Sequence, residues 1–130
     1  MGKELLFQEI EGFEWDLQLL DATARQHVVA RVNEVAQAFV ADASVFASLV
    51  SQPVALDLGE GYDSSLYAVE VEPDVHLVLA VDDDPIFSQA IVTLMRCVSR
   101  ASLQSAYRDA AAKLYGSMPG FVAPQEVAVG

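Results

Sequence analysis

Residues 66–81, LYAVEVEPDVHLVLAV, decide the fold of this chain. In the first half apolar and acidic residues alternate, with Val69 on one face and Glu70 on the other, which is the period of a β-strand with one side in water. Pro73 then takes the second position of a favourable β-turn. Residues 75–81 are almost wholly apolar, as in a central strand. The stretch therefore predicts a β-hairpin.

Upstream of the hairpin the sequence has the period of helices. Apolar residues within 15–50 recur at steps of three and four, while polar residues fall on the opposite side. Asp21 and Asp42 are each placed to cap a helix, so we predict two helices rather than one long helix, with Pro53 ending the pattern. Residues 4–13 are interpreted as a first strand.

Downstream of the hairpin we predict one more strand and a last helix. The β-branched run 90–98 favours a strand over the alternative, a helix through 86–98. Ser102 can cap the helix that follows, and Gly116 comes just past its end. A further short strand is predicted at 54–58, between the helices and the hairpin.

Together these elements predict an α+β fold, in which a helical hairpin packs on a small, mainly antiparallel sheet with a C-terminal helix. The chain has 130 residues and 53% hydrophobic content, enough for one core. We expect residues 1–116 to form a single domain and residues 117–130 to form an irregular tail.

The charge is strongly acidic and unevenly distributed. The net charge is −12, and no Lys or Arg stands between Val32 and Met95. That region carries eleven acids: Glu34, Asp42, Asp57, Glu60, Asp63, Glu70, Glu72, Asp74, Asp82, Asp83 and Asp84. Because phosphate backbones and anionic lipids are bound mainly through Lys and Arg, this composition disfavours nucleic acid and membrane surfaces as partners.

Neither export nor membrane insertion is indicated by the sequence. The longest uncharged apolar stretch, 43–56, has 14 residues, fewer than the roughly 20 that a spanning helix needs. The first residues lack the apolar core of a signal peptide. Cys97 is the only cysteine, which excludes an internal disulfide, and we expect a buried thiol in a cytoplasmic protein.

No motif of a catalytic or cofactor site is present, so an enzyme is not indicated and we expect no cofactor. The three aspartates 82–84 lack the alternating spacing with a distal Glu that wraps a calcium ion, so we predict a solvated turn and no metal site. His27 and His76 are expected to be structural histidines. Arg96 and Arg100 would share a face of a strand or a helix, either as a small anion clamp or as a surface contact.

The segment 66–78, LYAVEVEPDVHLV, and the run 91–98 resemble consecutive strands of bacterial toxins of the RelE/ParE superfamily. The resemblance covers residues 5–115 and implies a strand, a helical hairpin, antiparallel strands and a terminal helix. Members that cleave messenger RNA hold the phosphate with Lys and Arg on these strands. This chain has Ala68 and His76 where the family pattern has arginines, so the resemblance implies a catalytically silent relative.

We therefore expect a non-enzymatic, acidic protein-interaction or regulatory module that binds a basic protein or associates with itself. Its predicted partner-binding residues are Glu70, Glu72, Asp82, Asp83 and Asp84. Two alternatives stay open. One is an endoribonuclease with relocated catalytic residues, for which the candidates are His76, Arg96 and Arg100. The other is a small acidic dimeric chaperone or a metal-binding protein that uses its acidic loops.

Overall fold

The computed structural model describes residues 3–59 and 62–121. Four helices and four strands occupy these ranges: β1 (Glu4–Glu9), α1 (Glu11–Gln18), α2 (Ala22–Ala41), α3 (Ala43–Leu49), β2 (Leu66–Glu72), β3 (Val75–Asp84), β4 (Gln89–Val98) and α4 (Leu103–Tyr115). A short 3-10 turn, Arg100–Ser102, precedes α4. The predicted α+β class is confirmed.

The strands form one mixed sheet in the order β1-β4-β3-β2. β3 pairs antiparallel with both β2 and β4, whereas β1 pairs parallel with β4. The predicted hairpin is confirmed as β2 and β3, with Pro73 and Asp74 in its turn. The strand prediction for 90–98 is confirmed as well, because β4 spans Gln89–Val98.

Both faces of the sheet are covered by helices. We call the side that packs on α2 and α3 the α2 face, and the opposite side, which packs on α4, the α4 face. The core on the α2 face includes Phe13, Val28, Val35, Val69, Leu77, Leu79, Val92 and Leu94. The core on the α4 face includes Leu66, Ala68, Val78, Ala80, Met95, Tyr107 and Ala111. Burying each large apolar side chain contributes about 1.5–3 kcal/mol, so these two layers hold the helices in place.

One side of β2 was expected to face water, and this is wrong for most of the strand. Leu66 and Ala68 lie on the α4 face and are buried beneath α4. Glu70 remains exposed near the end of the strand. The alternation of apolar and acidic residues suggests a face exposed to water. It does not show that a second helix covers the small and apolar residues on that face.

Two aspartates divide the helical region where the sequence places the caps. Asp21 Oδ1 accepts a hydrogen bond from the backbone N–H of Ala24 at 2.8 Å, which satisfies a free donor of α2. Asp42 Oδ1 accepts from the N–H of Ser44 at 3.0 Å and of Val45 at 3.3 Å. The hydrogen bond from the Ser44 hydroxyl and those from the two amides lower the pKa of Asp42. Both cap predictions are confirmed.

The helical region starts earlier than the sequence indicates. The first strand ends at Glu9, and residues 11–18 form α1. The interpretation of 4–13 as a strand is therefore wrong beyond Glu9. Phe13 is buried and Leu17, one turn later, packs against the same core. Burial of this helical face outweighs the strand-like composition of the segment.

The predicted strand at 54–58 does not form. Within residues 3–59 and 62–121 no strand covers these positions, and the isolated bridge between Ser51 and Ala68 lies just before them. Leu58 is buried in the core on the α4 face and Leu56 packs against that core, so side-chain packing rather than strand pairing holds this segment.

The end of the described chain also packs on the α4 face. Ser102 stands at the N-cap of α4, but its side chain makes no capping hydrogen bond, because the 3-10 turn occupies the entry to the helix. Met118 and Phe121 of the predicted tail contact the core on the α4 face. Residues 60–61, and residues 122–130 of the predicted tail, lie outside the described residues.

Candidate functional site

His76, the candidate acid or base of the ribonuclease hypothesis, is a buried residue of β3 on the α4 face. Its Nε2 contacts the carbonyl oxygen of Pro73 at 3.2 Å, within the β2–β3 turn. Its backbone pairs with Glu70 of β2 and Val98 of β4. The ring therefore ties the turn to the central strand, which is a structural role.

Arg96 forms a bidentate ion pair with Asp16 of α1. Its Nε donates to Oδ2 at 2.7 Å and an Nη to Oδ1 at 3.2 Å. These hydrogen bonds raise the pKa of Arg96. The Asp16 side chain is only 11% exposed, so the pair lies mostly out of water. Arg96 is thus already occupied by a carboxylate.

Asp16 also completes the edge of β4. The last contact of the β1 segment is the N–H of Ile10, which donates to the Leu94 carbonyl at 3.1 Å. Beyond that point α1 lies along β4, and Asp16 Oδ2 accepts the backbone N–H of Cys97 at 2.8 Å. The carboxylate takes the place of a strand partner at this position.

Asp16 is not among the site residues predicted from the sequence, although its position carries a signal. Asp16 stands three residues after Phe13 and four before Leu20, on the inward side of the helix. An acid on an apolar helical face needs a buried partner, because an unpaired charge there is costly. That requirement points to a cation from another element.

Arg100 is separated from Arg96 by the end of the strand. β4 stops at Val98, and Arg100 is an exposed residue that opens the 3-10 turn, where its backbone N–H donates to Asp74 Oδ1 at 3.1 Å. The prediction that the two arginines share a face of one element is therefore wrong. His76, Arg96 and Arg100 do not combine an accessible base with a free cation.

The five predicted partner-binding acids fall into two groups at opposite ends of β3. Glu70 and Glu72 lie by the β2–β3 turn, where Glu72 contacts His27 of α2. Residues 82–84 form the other end of β3. The partner of Glu70 on β3 is His76, six residues before Asp82, so the two groups are about 20 Å apart along the strand.

Residues 82–84 were predicted to be a solvated turn, and this is wrong. They belong to β3 and pair with residues 89–91 of β4, while the turn itself is 85–88. Asp84 Oδ1 accepts the N–H of Ile86 at 3.1 Å and of Phe87 at 3.4 Å, which closes that turn. Asp82 and Asp83 can belong to the strand because their side chains remain exposed to water at the end of β3. Backbone pairing with β4 therefore extends the strand through them.

These aspartates gather with one more acid at the end of the sheet. Glu4 of β1 pairs with Gln89 of β4, which in turn pairs with Asp84 of β3. We call Glu4, Asp82, Asp83 and Asp84 the acidic sheet end. Lys3 contacts Asp83. Among residues 3–59 and 62–121, no group of three or more His, Cys, Asp or Glu side chains has the arrangement of a metal site.

An apolar groove opens beside β1 on the α2 face. Its volume is about 180 Å³, and it is lined by Phe7, Glu9, Phe13, Leu17, Val28, Val29, Val32, Asn33 and Leu94. Phe7 of β1 is 45% exposed and Val29 of α2 is 58% exposed. Among the described residues that line the groove, only Glu9 is charged. The groove is smaller than the roughly 300–1,000 Å³ of small-molecule pockets.

Cys97 is a buried thiol, as the sequence analysis expects. Burial, together with the negative charge of Asp16, raises its pKa to about 11. The reactive thiolate is therefore scarce at neutral pH, and Cys97 is unsuited to be a nucleophile.

No protein-family model matches this chain, and no curated protein matches it. Within the described residues, no helix is both long enough and apolar enough to cross a lipid bilayer. The resemblance to RelE/ParE toxins stays a prediction.

Proposed function

We propose that this protein is a non-enzymatic interaction module that binds a basic protein partner through the acidic sheet end. The observation that carries the proposal is the placement of Glu4, Asp82, Asp83 and Asp84 at one end of three adjacent strands, where Lys3 contacts Asp83. A concentrated negative surface attracts positive partners and speeds their encounter.

Exposed apolar side chains stand next to these charges. The β3–β4 turn carries Ile86 and Phe87, both largely exposed, two and three residues after Asp84. Protein interfaces combine such apolar anchors with a charged rim, and the anchors supply most of the affinity while the charges supply steering. The combination of exposed apolar and acidic side chains favours a protein over a simple cation as the partner.

The ribonuclease alternative receives less support from the geometry. Phosphoryl transfer requires cations aimed at the phosphate. Arg96 is held by Asp16, and His76 is buried against Pro73. The dimeric-chaperone and metal-binding alternatives have no comparable observation in their favour.

The proposal is tested by measuring equilibrium binding of fluorescein-labelled probes: a lysine-rich peptide, its glutamate counterpart and a single-stranded RNA. We expect the lysine-rich peptide alone to bind. Its affinity should fall about tenfold between about 0.01 M and about 0.1 M salt, as the Debye length shrinks from about 30 Å to about 10 Å. Binding of the RNA, or cleavage of it, would contradict the proposal.

Two double variants with equal change in net charge locate the site. Glu4→Gln with Asp82→Asn removes two charges from the acidic sheet end, and we expect it to weaken binding about threefold to tenfold. Glu14→Gln with Glu70→Gln removes two exposed charges elsewhere, on α1 and near the β2–β3 turn. This control should change affinity by less than about twofold. Equal losses would mean that overall charge, and not the acidic sheet end, determines binding.

A further inference from the structure

One edge of the sheet is open to a further strand. β1 pairs with β4 on one side, and on its other side no strand of residues 3–59 or 62–121 pairs with it. The N–H of Glu4 donates to the Ser88 carbonyl at 2.9 Å, and that of Ile10 donates to the Leu94 carbonyl. The backbone N–H and C=O groups of the even-numbered residues of β1 therefore point toward β4. Since successive residues alternate, the backbone groups of Leu5, Phe7 and Glu9 face outward.

The open edge adjoins the apolar groove. Leu5 packs on the α2 face, and Phe7 and Glu9 line the groove beside it. A strand placed along this edge would set alternate side chains over Phe7 and against Val29 of α2, where both are exposed. A cavity of about 150 Å³ is enough for a benzene molecule, so about 180 Å³ suits one aliphatic side chain of such a strand.

The charges on β1 indicate which kind of strand can pair with its open edge. Glu4 and Glu9 stand at the two ends of β1. If a second copy paired with β1 antiparallel about Phe7, Glu9 of each copy would lie opposite Leu5 of the other, so no glutamate would meet a cation, and two chains of net charge −12 would repel each other. Lys3 does not relieve this, because it contacts Asp83. The edge instead matches a strand that carries a cation at each end and apolar residues between.

We propose that β1 is a docking edge for an extended, lysine- or arginine-bearing segment of the partner protein, which adds to the sheet as a fifth strand. This inference rests on the proposed function and gives it a binding mode. Main-chain hydrogen bonds to Leu5, Phe7 and Glu9 supply affinity, and the groove and the two glutamates select an aliphatic centre with basic ends.

The probe is a peptide with the core Lys-Val-Thr-Ile-Thr-Lys flanked by Gly and Ser. Its lysines are five positions apart, as are Glu4 and Glu9. Replacing both lysines by glutamate gives the matched control peptide. Amide hydrogen exchange of the full chain is followed with and without each peptide. We expect the lysine peptide to slow exchange at Leu5, Phe7 and Glu9 by about tenfold or more, and the glutamate peptide to leave it unchanged.

Two variants with the same substitution test the groove. Val29→Lys puts a cation on the groove wall, whereas Val45→Lys puts one on α3, away from the lining, at a valine that is 45% exposed. Both sites are on exposed helical surface, so both variants should fold, which circular dichroism verifies. We expect Val29→Lys to weaken binding of the lysine peptide about tenfold and Val45→Lys to change it less than about twofold.

The outcomes separate the two proposals. Salt-sensitive binding with protection elsewhere, or with equal losses in both variants, would overturn the β1 edge and leave the proposed function standing. Absence of any binding to basic peptides would overturn the proposed function and this inference with it. A dimer in sedimentation velocity that Val29→Lys dissociates would show that a second copy occupies the edge and would also overturn the inference.

Discussion

At the scale of single residues, Asp16 makes the most consequential contacts outside the apolar cores. Its carboxylate pairs with Arg96 and accepts the backbone N–H of Cys97, so it joins α1 to the last part of β4. The residues it joins are 80 and 81 positions away in the chain. Loss of the carboxylate leaves both donors without their acceptor.

We predict that Asp16→Ala lowers the free energy of unfolding by about 2–3 kcal/mol, because removing one partner of a mostly buried pair strands the other. Asp16→Asn should cost less, since its amide oxygen can still accept the Cys97 N–H. Urea unfolding measures both. Glu14→Ala, at an exposed site of the same helix, is the control and should stay within about 0.5 kcal/mol of wild type. A loss in Asp16→Ala no larger than in this control would contradict the assigned role.

Cys97 should make the protein sensitive to alkaline pH. Its pKa is raised from 9.0 to about 11, so the unfolded chain loses the thiol proton before the folded chain does. The stability that burial of the neutral thiol provides is therefore fully present below about pH 9 and is lost as the pH rises through about 11.

We predict that the melting temperature of the wild type falls more steeply between about pH 8 and about pH 10.5 than that of Cys97→Ala. The variant will start from a lower stability because of the cavity it creates, so the comparison is between the two slopes. Differential scanning fluorimetry across this pH range provides them. Parallel slopes would show that the thiol titrates as it does in an unfolded chain.

At the scale of elements, α4 is fastened to β2 and the preceding loop by two tyrosine hydroxyls. Tyr107 Oη donates to the Leu66 carbonyl at 2.7 Å, and Tyr115 Oη accepts the N–H of Ser65 at 2.8 Å. Burial raises the pKa of Tyr107 to about 12, so the hydroxyl stays a donor throughout the physiological range. These bonds position α4 on the face of the sheet that it covers.

We predict that Tyr107→Phe and Tyr115→Phe each lower the free energy of unfolding by about 1 kcal/mol, the usual net value of such a hydrogen bond. Chemical denaturation gives the values, and faster amide exchange within α4 should accompany them. Tyr67→Phe is the control, because Tyr67 contributes by packing its ring edge-on against Phe46. If the control lost as much as the other two, the hydroxyls would not be what fastens α4.

Elements whose contacts are local were predictable from the sequence. The β2–β3 hairpin is contained in residues 66–81, and the caps at Asp21 and Asp42 act on amides two or three residues away. The parallel pairing of β1 with β4 was not predictable, because its partners, such as Phe7 and Val92, are distant in the chain and no local pattern specifies them.

Most residues of the candidate site could be predicted from the sequence, but their arrangement could not. The sequence identifies the acids, but only the register of β1, β4 and β3 places Glu4 beside Asp84 and separates Asp82 from Glu70. The groove depends on β1 lying beside α2, which is a tertiary relation that neither segment shows by itself. Asp82 and Asp83 were misplaced because composition favours a turn, whereas pairing with β4 extends the strand.

At the scale of the whole molecule, charge is the dominant feature. The net charge of −12 comes from nineteen acids against seven Lys and Arg. Three of those cations, Lys3, Arg31 and Arg96, are paired with acids. The long-range field is therefore negative, and a positive partner should be drawn toward the molecule before any short-range contact forms.

The most direct measurement is the association rate of the lysine peptide with the wild-type chain as a function of ionic strength, followed by stopped-flow fluorescence. Electrostatic recruitment predicts a rate constant that falls about tenfold or more from about 0.01 M to about 0.1 M salt, while a peptide with glutamine in place of lysine associates slowly at every salt concentration. Equal, salt-independent rates for the two peptides would contradict the conclusion that this acidic surface recruits a basic partner.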